Sequence, residues 1–284
     1  MFYKLRARFL SNSRWFLIPV ALLFMLALSG GVRAQSSDEH DNYKLKLDGF
    51  WFYSNPSGTV HGQSDEVPVD FTKDLGFSSY STFSGKIDWK FTHKNHFYVN
   101  ITPFYTSKTT TLTRDITFQG IPFSANADVN SSLHAFMIAP GYQYDFIRRR
   151  RGHIGLGVQV DIFNTTAKIK ALGTVNGGTG TSESGVYQAS GSLLAPIPVA
   201  GPEGRLYLTD SGRIFVEGNV YGMYLFGYGN FISTSDTLGV AINNHLTLNA
   251  GYQLGSKLTV TASSNRMGLG LTQKGPMVGL ELYF

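Results

Sequence analysis

The chain of 284 residues contains no cysteine. That excludes a disulfide framework, thiolate metal sites and a cysteine nucleophile, and it excludes a lipid-modified cysteine behind a leader. Charge is also scarce, with Asp, Glu, Lys and Arg at 15% of residues. The formal net charge of +5 is unevenly placed: Lys4, Arg6, Arg8, Arg14 and Arg33 lie in the first 34 residues, which hold no Asp or Glu, and the remainder is formally neutral. No nucleic-acid surface is expected from such a balance. Beyond residue 34 no stretch is both long and apolar, which excludes further membrane-spanning helices.

The first 34 residues have the layout of a secretory signal. Lys4 to Arg14 is basic, Trp15 to Leu28 is apolar, and Val32-Arg33-Ala34 places small residues around a cleavage site. The expected cut falls between Ala34 and Gln35. The rival reading is an uncleaved anchor, but this apolar run is shorter than the ~20 residues a spanning helix needs. Residues 35–42 then form a short N-terminal segment, and 43–284 form one domain.

What the chain has in quantity is aromatic residues, at 14%, and 32 glycines, a β-rich composition. Period-two alternation recurs along it. In Phe83 to Phe91, apolar residues and Gly alternate with Ser84, Lys86, Asp88 and Lys90. A tight link at 93–95 joins this run to one carrying Phe97, Val99, Ile101, Pro103 and Tyr105 on one face. Similar runs start near Leu45, Phe136, Ile154, Ile214 and Leu246, and the chain ends in Val278, Leu280, Leu282 and Phe284. A short strand is expected at 257–264. Residues 189–208 carry Pro196, Pro198 and Pro202 and change alternation phase near Gly201, which predicts a bulged or irregular strand. The expected architecture is an all-β, antiparallel up-and-down transmembrane barrel of about ten strands, with eight or twelve as alternatives.

Long links near 55–79, 107–126, 170–188, 230–239 and 265–275 alternate with short ones at 93–95, 147–153, 209–212 and 255–256, the pattern of a barrel that crosses a membrane. A Lys or Arg facing lipid at mid-depth costs about 2–4 kcal/mol. The charged face of each strand must therefore point inward: Asp48, Lys86, Asp88, Lys90, Asp145, Asp161, Glu217 and Glu281. Lys44, Lys46 and Arg205 are expected to join them. With Tyr98, Phe104 and Tyr221 they would fill a lumen little wider than that of an eight-strand barrel, leaving it closed or very narrow. Trp51, Tyr53, Trp89, Phe91, Tyr105, Tyr144, Phe146, Tyr228 and Phe284 are expected at the membrane interfaces.

The leader and the terminal strand Val278-Gly279-Leu280-Glu281-Leu282-Tyr283-Phe284 together resemble those of bacterial outer-membrane β-barrel proteins. The resemblance covers residues 43–284 at the level of architecture. It implies an outer-membrane location in a Gram-negative-type bacterium, contact with lipid and lipopolysaccharide, and recognition of Val278, Leu280, Leu282 and Phe284 by the barrel-assembly machinery.

Three functions suit such a barrel. The first is a non-enzymatic structural protein or narrow channel for small solutes. The second is a lipid or peptide hydrolase; a nucleophile with a base in reach is sought at His245, Thr247 and Asn249, which share one strand face, although a polar lumen lining explains them equally. The third is an adhesin or receptor acting through its long loops. His93, His96 and His153 lie near two short turns, where isolated histidines are commoner than metal ligands; no metal or other cofactor is expected. Arg148-Arg149-Arg150-Arg151 falls at a short turn, where it is expected to meet phospholipid phosphates or solvent.

Overall fold

The computed structural model describes residues 40–62, 66–176, 182–225, 229–262 and 267–284. Ten strands form one antiparallel sheet that closes on itself: β1 (Leu45–His61), β3 (Tyr80–Lys90), β4 (Asn95–Thr111), β7 (Asp128–Arg149), β8 (Gly152–Asn176), β9 (Ser182–Tyr207), β10 (Ile214–Leu225), β11 (Gly229–Asn243), β12 (Leu246–Ala262) and β13 (Met267–Tyr283). Each pairs with its neighbour in sequence, and β13 pairs with β1 to close the barrel. Phe284 completes the seam through its backbone, accepting from the Lys44 and Leu45 amides and donating to the Leu45 carbonyl. Short β2 (Val69–Asp70) and the hairpin of β5 (Ile116–Phe118) and β6 (Ile121–Phe123) lie in two of the connections. An even strand number puts both chain ends at one rim, here called the turn end because tight connections join the strands there. The opposite rim is the loop end.

The strands divide into two zones. Near the turn end the outer face is apolar: Trp51, Ile87, Phe97, Phe136, Leu156, Leu206, Val216, Val240 and Val278 are all exposed, while Lys46, Asp48, Asp88, Lys90, Asp145 and Glu281 are buried inside. Toward the loop end the polarity inverts. There the inner face carries Val60, Val129, Leu133, Ile169, Leu193 and Ile197, all buried, and the outer face carries Asn130, His134, Lys168, Lys170, Ser190 and Ser192. A tilted strand needs about 9–11 residues to cross a membrane. β8 and β9 have 25 and 26 residues and run well past it. The barrel is thus a membrane barrel below and a water-facing barrel with an apolar core above.

This inversion explains where the sequence reading went astray. In 189–208, expected as a bulged or irregular strand, β9 runs in continuous register with β8, while its pairing with β10 skips Pro202 and Gly201 and ends at Ala200; Pro196, Pro198 and Pro202 all face outward. The phase change near Gly201 is a change in the lumen, from apolar Ala195, Ile197 and Val199 to charged Glu203 and Arg205, with no slip of the strand. Residues 230–239, expected as a loop, belong to β11, whose outward Thr234 and Asp236 disguise it. The two strands expected at 246–254 and 257–264 are one, β12, with an irregularity between Gln253 and Ser256. The missed strand and the split one offset each other, so the count of ten stands. The long links expected at 170–188 and 265–275 are mostly strand as well. The leader, with Ala34 and Gln35, and Tyr228 lie outside the described residues.

Candidate functional site: a lumen sealed at both ends

The N-terminal segment enters the lumen at the turn end. Asp41 is its anchor: its carboxylate accepts from the Tyr207 hydroxyl, lies 2.7 Å from His153 Nδ1 and 3.6 Å from Arg205 Nη1. Burial alone would raise this carboxyl, yet the His153 ring and the Arg205 guanidinium hold it well below the usual carboxylate range. The Asp41 carbonyl accepts from Lys90 Nζ and from Arg148 Nη2 at 2.7 Å. Tyr43 donates to Asp88 at 3.1 Å, and His40 stacks on Tyr207.

Around this segment the strands supply a connected layer of charge. His96 bridges Asp88 and Asp145, at 3.1 and 3.2 Å, and Arg148 reaches Asp145 at 2.9 Å. Arg205 is the hub of the other side. It pairs with Glu217, with Glu281 at 3.0 Å, and with the Tyr283 hydroxyl at 2.6 Å, and it stacks on Phe215. Lys46 lies 3.4 Å from Asp48. Burying so many charges is tolerable only because nearly every one has a partner of opposite sign.

Above it sits a layer of tyrosines. Tyr98 and Tyr221 meet at 3.1 Å; Tyr98 donates to Gln159 and Tyr221 to Glu203, while the Lys86 ammonium lies over the Tyr98 ring. Gly141 and Gly157 make room for these rings: a Cβ at Gly141 would lie 2.5 Å from Tyr98, and one at Gly157 would overlap the Tyr221 hydroxyl. Over the tyrosines lies a cavity of 260 Å³. Toward the turn end its lining is polar, with Asp48, Asp161 and Glu203, and toward the loop end it is mostly apolar, with Phe52, Phe104, Phe163, Phe231 and Leu271 beside Gln273. Asp48 Oδ1, at the polar end, is buried without a hydrogen-bond partner.

At the loop end two connections fold into one apolar core over the lumen. Phe71, Leu75 and Phe77 from the first and Leu112, Ile116, Phe118 and Phe123 from the second are buried against Val129, Leu133, Ile169 and Leu193. Arg114 latches them together by two hydrogen bonds to Asp74, at 2.6 and 2.9 Å. Burial pushes the Asp74 carboxyl up, but Arg114 outweighs it and leaves it below its ordinary value. Glu66 accepts from the Gly62, Gln119 and Gly120 amides and ties the same two connections.

All eight charges assigned to the lumen face inward. Lys44 does not: it precedes β1 and is exposed. His245 turns its Nδ1 to the Tyr283 carbonyl, 2.9 Å away, whereas Thr247 and Asn249 are buried on the lumen face of β12, and no hydrogen bond joins the three. His93 is exposed while His96 and His153 each sit on carboxylates inside, and no metal-binding cluster occurs among the described residues. The arginine run lies at the turn end, with Arg148 directed inward and Arg151 on Asp210 at 2.8 Å. The charges and tyrosines that fill the lumen were expected from the sequence; the Asp41 anchor and the loop-end lid were missed. For the loop-end lid a signal was present: Phe71, Leu75, Phe77, Ile116, Phe118 and Phe123 are too apolar for solvated loops.

No family model and no curated protein matches the chain. Among solved structures, the outer membrane protease OmpT from Escherichia coli is similar with a TM-score of 0.50 and 11% identity, over 87% of this chain and 100% of that one. The translocator domain of autotransporter NalP from Neisseria meningitidis aligns over 95% of both chains at 14% identity and a TM-score of 0.39. The toluene transporter TodX from P. putida covers 85% of this chain and 90% of its own, at 9% identity and a TM-score of 0.37. At these identities only the fold is shared. With its closed ring of ten antiparallel strands, apolar outside and charged within, the chain has the fold of a bacterial outer-membrane β-barrel.

Proposed function

We propose that this protein is a non-enzymatic barrel with a resting lumen that is shut, and that small solutes pass through it only when the seals yield. The observation that carries this reading is the 260 Å³ cavity held between a charged seal and an apolar one. A permanently open pore has no need of either. The cavity suits a small amphipathic solute, since it pairs the unpartnered Asp48 Oδ1 below with aromatic rings above. The hydrolase reading is less well supported, because His245 is engaged with a backbone carbonyl away from the hydroxyl proposed as its partner.

In this reading the leader is removed before Gln35, the turn end faces the periplasm, and Arg149 and Arg150 meet phospholipid phosphates there. The lid faces lipopolysaccharide, and the strand ending in Phe284 is read by the assembly machinery. Planar-bilayer conductance tests the gate. The intact protein should be silent or nearly so, and deletion of 35–43, which removes Asp41, should give discrete small currents. A folded truncated barrel as silent as the intact one would overturn the proposal.

A further inference from the structure

The outer wall carries a depression of 730 Å³ across β8 to β12. Its floor is made by small outward residues, Gly204, Gly218 and Ala250, and one row of strand pairing runs from Gly204 through Gly218 and Asp236 to Tyr252. Asp236 therefore stands on the lipid-facing side. On the same face of β11 it has Leu238 and Val240 toward the turn end and Ile232 toward the loop end, all exposed. Its carboxylate leans over Gly218, where a Cβ would lie 2.6 Å from Oδ1. Asp236 has no hydrogen-bond or ion-pair partner among the described residues, and the other charged side chain near its row on the outer face, Lys274, stands on β13 two residues beyond Pro276 toward the loop end. An ionisable group at such depth persists where something satisfies it.

The neighbouring residue indicates what does. Tyr252 lies directly opposite Asp236 on β12 and is exposed on the same face. One offers an acceptor and the other a hydroxyl donor, so the patch is complementary to itself. In a twofold contact each residue meets its neighbour's counterpart, which sets each Tyr252 hydroxyl on the other copy's Asp236. A floor of Gly and Ala lets two walls approach closely, as small residues do wherever membrane segments associate. The nearby outward cation, Lys274, lies on the loop-end side of Tyr252 and outside the lining of the depression, so no Lys or Arg of the depression itself stands beside Asp236 at that depth. Arg149 and Arg151 lie at the turn-end margin, where salt screens their repulsion. We propose that this depression is the face of a twofold homodimer within the membrane, fastened by reciprocal Tyr252–Asp236 hydrogen bonds.

The absence of cysteine makes the test direct. In proteoliposomes at high lipid-to-protein ratio, Ala250→Cys should form a disulfide dimer on mild oxidation, and Ile101→Cys, on the opposite wall, should not. Tyr252→Phe and Asp236→Leu should each weaken dimerisation about three- to tenfold, and the double variant should be no worse than either. Heat-modifiable migration confirms that each variant is folded. Cross-linking at Ala250 no faster than at Ile101, or unchanged by both substitutions, would overturn the proposal. So would a monomer that carries a co-purified lipid displaced by Ala250→Trp, which would assign the depression to lipid instead.

Discussion

Arg205 touches more of the charged seal than any other side chain described above, with Glu217, Glu281, Asp41 and Tyr283 around it and 4% of the residue exposed. Arg205→Met keeps much of the volume and leaves three carboxylates short of their cation. Breaking a buried pair from one side costs about 3–5 kcal/mol. Arg151→Met removes a pair whose side chains are 74% and 77% exposed, worth about 0–1 kcal/mol. Urea unfolding in lipid vesicles should separate the two variants; equal midpoints would refute the role given to Arg205. Asp41 makes a pH prediction. Its carboxyl is held below its unfolded value of about 3.9, so its contribution is full above that value and is lost as pH falls through the lowered one. A spin label at His40→Cys should stay immobile through the ordinary carboxylate range and become mobile only in stronger acid. With Asp41→Asn added, it should already be mobile at neutral pH.

At the scale of the element, the lid is a small soluble-protein core built on a membrane barrel. Phe118 is 0% exposed at its centre. Phe118→Ala should cost about 3–5 kcal/mol of local stability. Amide hydrogen exchange should speed up in β5, β6 and residues 71–77 and stay unchanged in the turn-end half of the strands. Uniform acceleration throughout would mean that lid and barrel unfold as one unit. The same scale shows why period-two reading worked unevenly. Phe83 to Phe91 was legible because its outer face meets lipid and its inner face carries charge, so every step alternates. Thr109, Ser190 and Lys170 face water, and small or modest apolar residues stand between them, so these strand extensions look like loops. β11 was hidden by Asp236 and Thr234, polar residues on the face where the pattern expects apolar ones.

For the whole molecule, closure depends on β13 meeting β1 along its full length. Phe284 contributes backbone bonds at the last step of that seam. Deleting Phe284 should therefore reduce the fraction of refolded protein that migrates in the compact, heat-modifiable form, and Phe284→Tyr should restore it. An undiminished fraction after deletion would show that the seam closes without its end. Closure also removes the edge strands that an open sheet of ten would expose to aggregation.

The sequence by itself determined the architecture and the sidedness of the strand segments that meet lipid with an apolar face, because lipid tolerates charge on only one face and alternation records that face locally. Asp48, Asp88, Asp145, Glu217 and Glu281 were readable as lumen residues for that reason. Only the tertiary structure decided how those lumen charges are partnered and what covers them. The partners of Asp41 are Lys90, Arg148, His153, Arg205 and Tyr207, far from it in the chain and brought together by barrel curvature. The lid likewise depends on two connections meeting over one rim, and the pairing of Asp236 with Tyr252 depends on the register of β11 against β12. Local pattern reports the solvent on each side of a strand, whereas a site is made by residues whose proximity is set by closure.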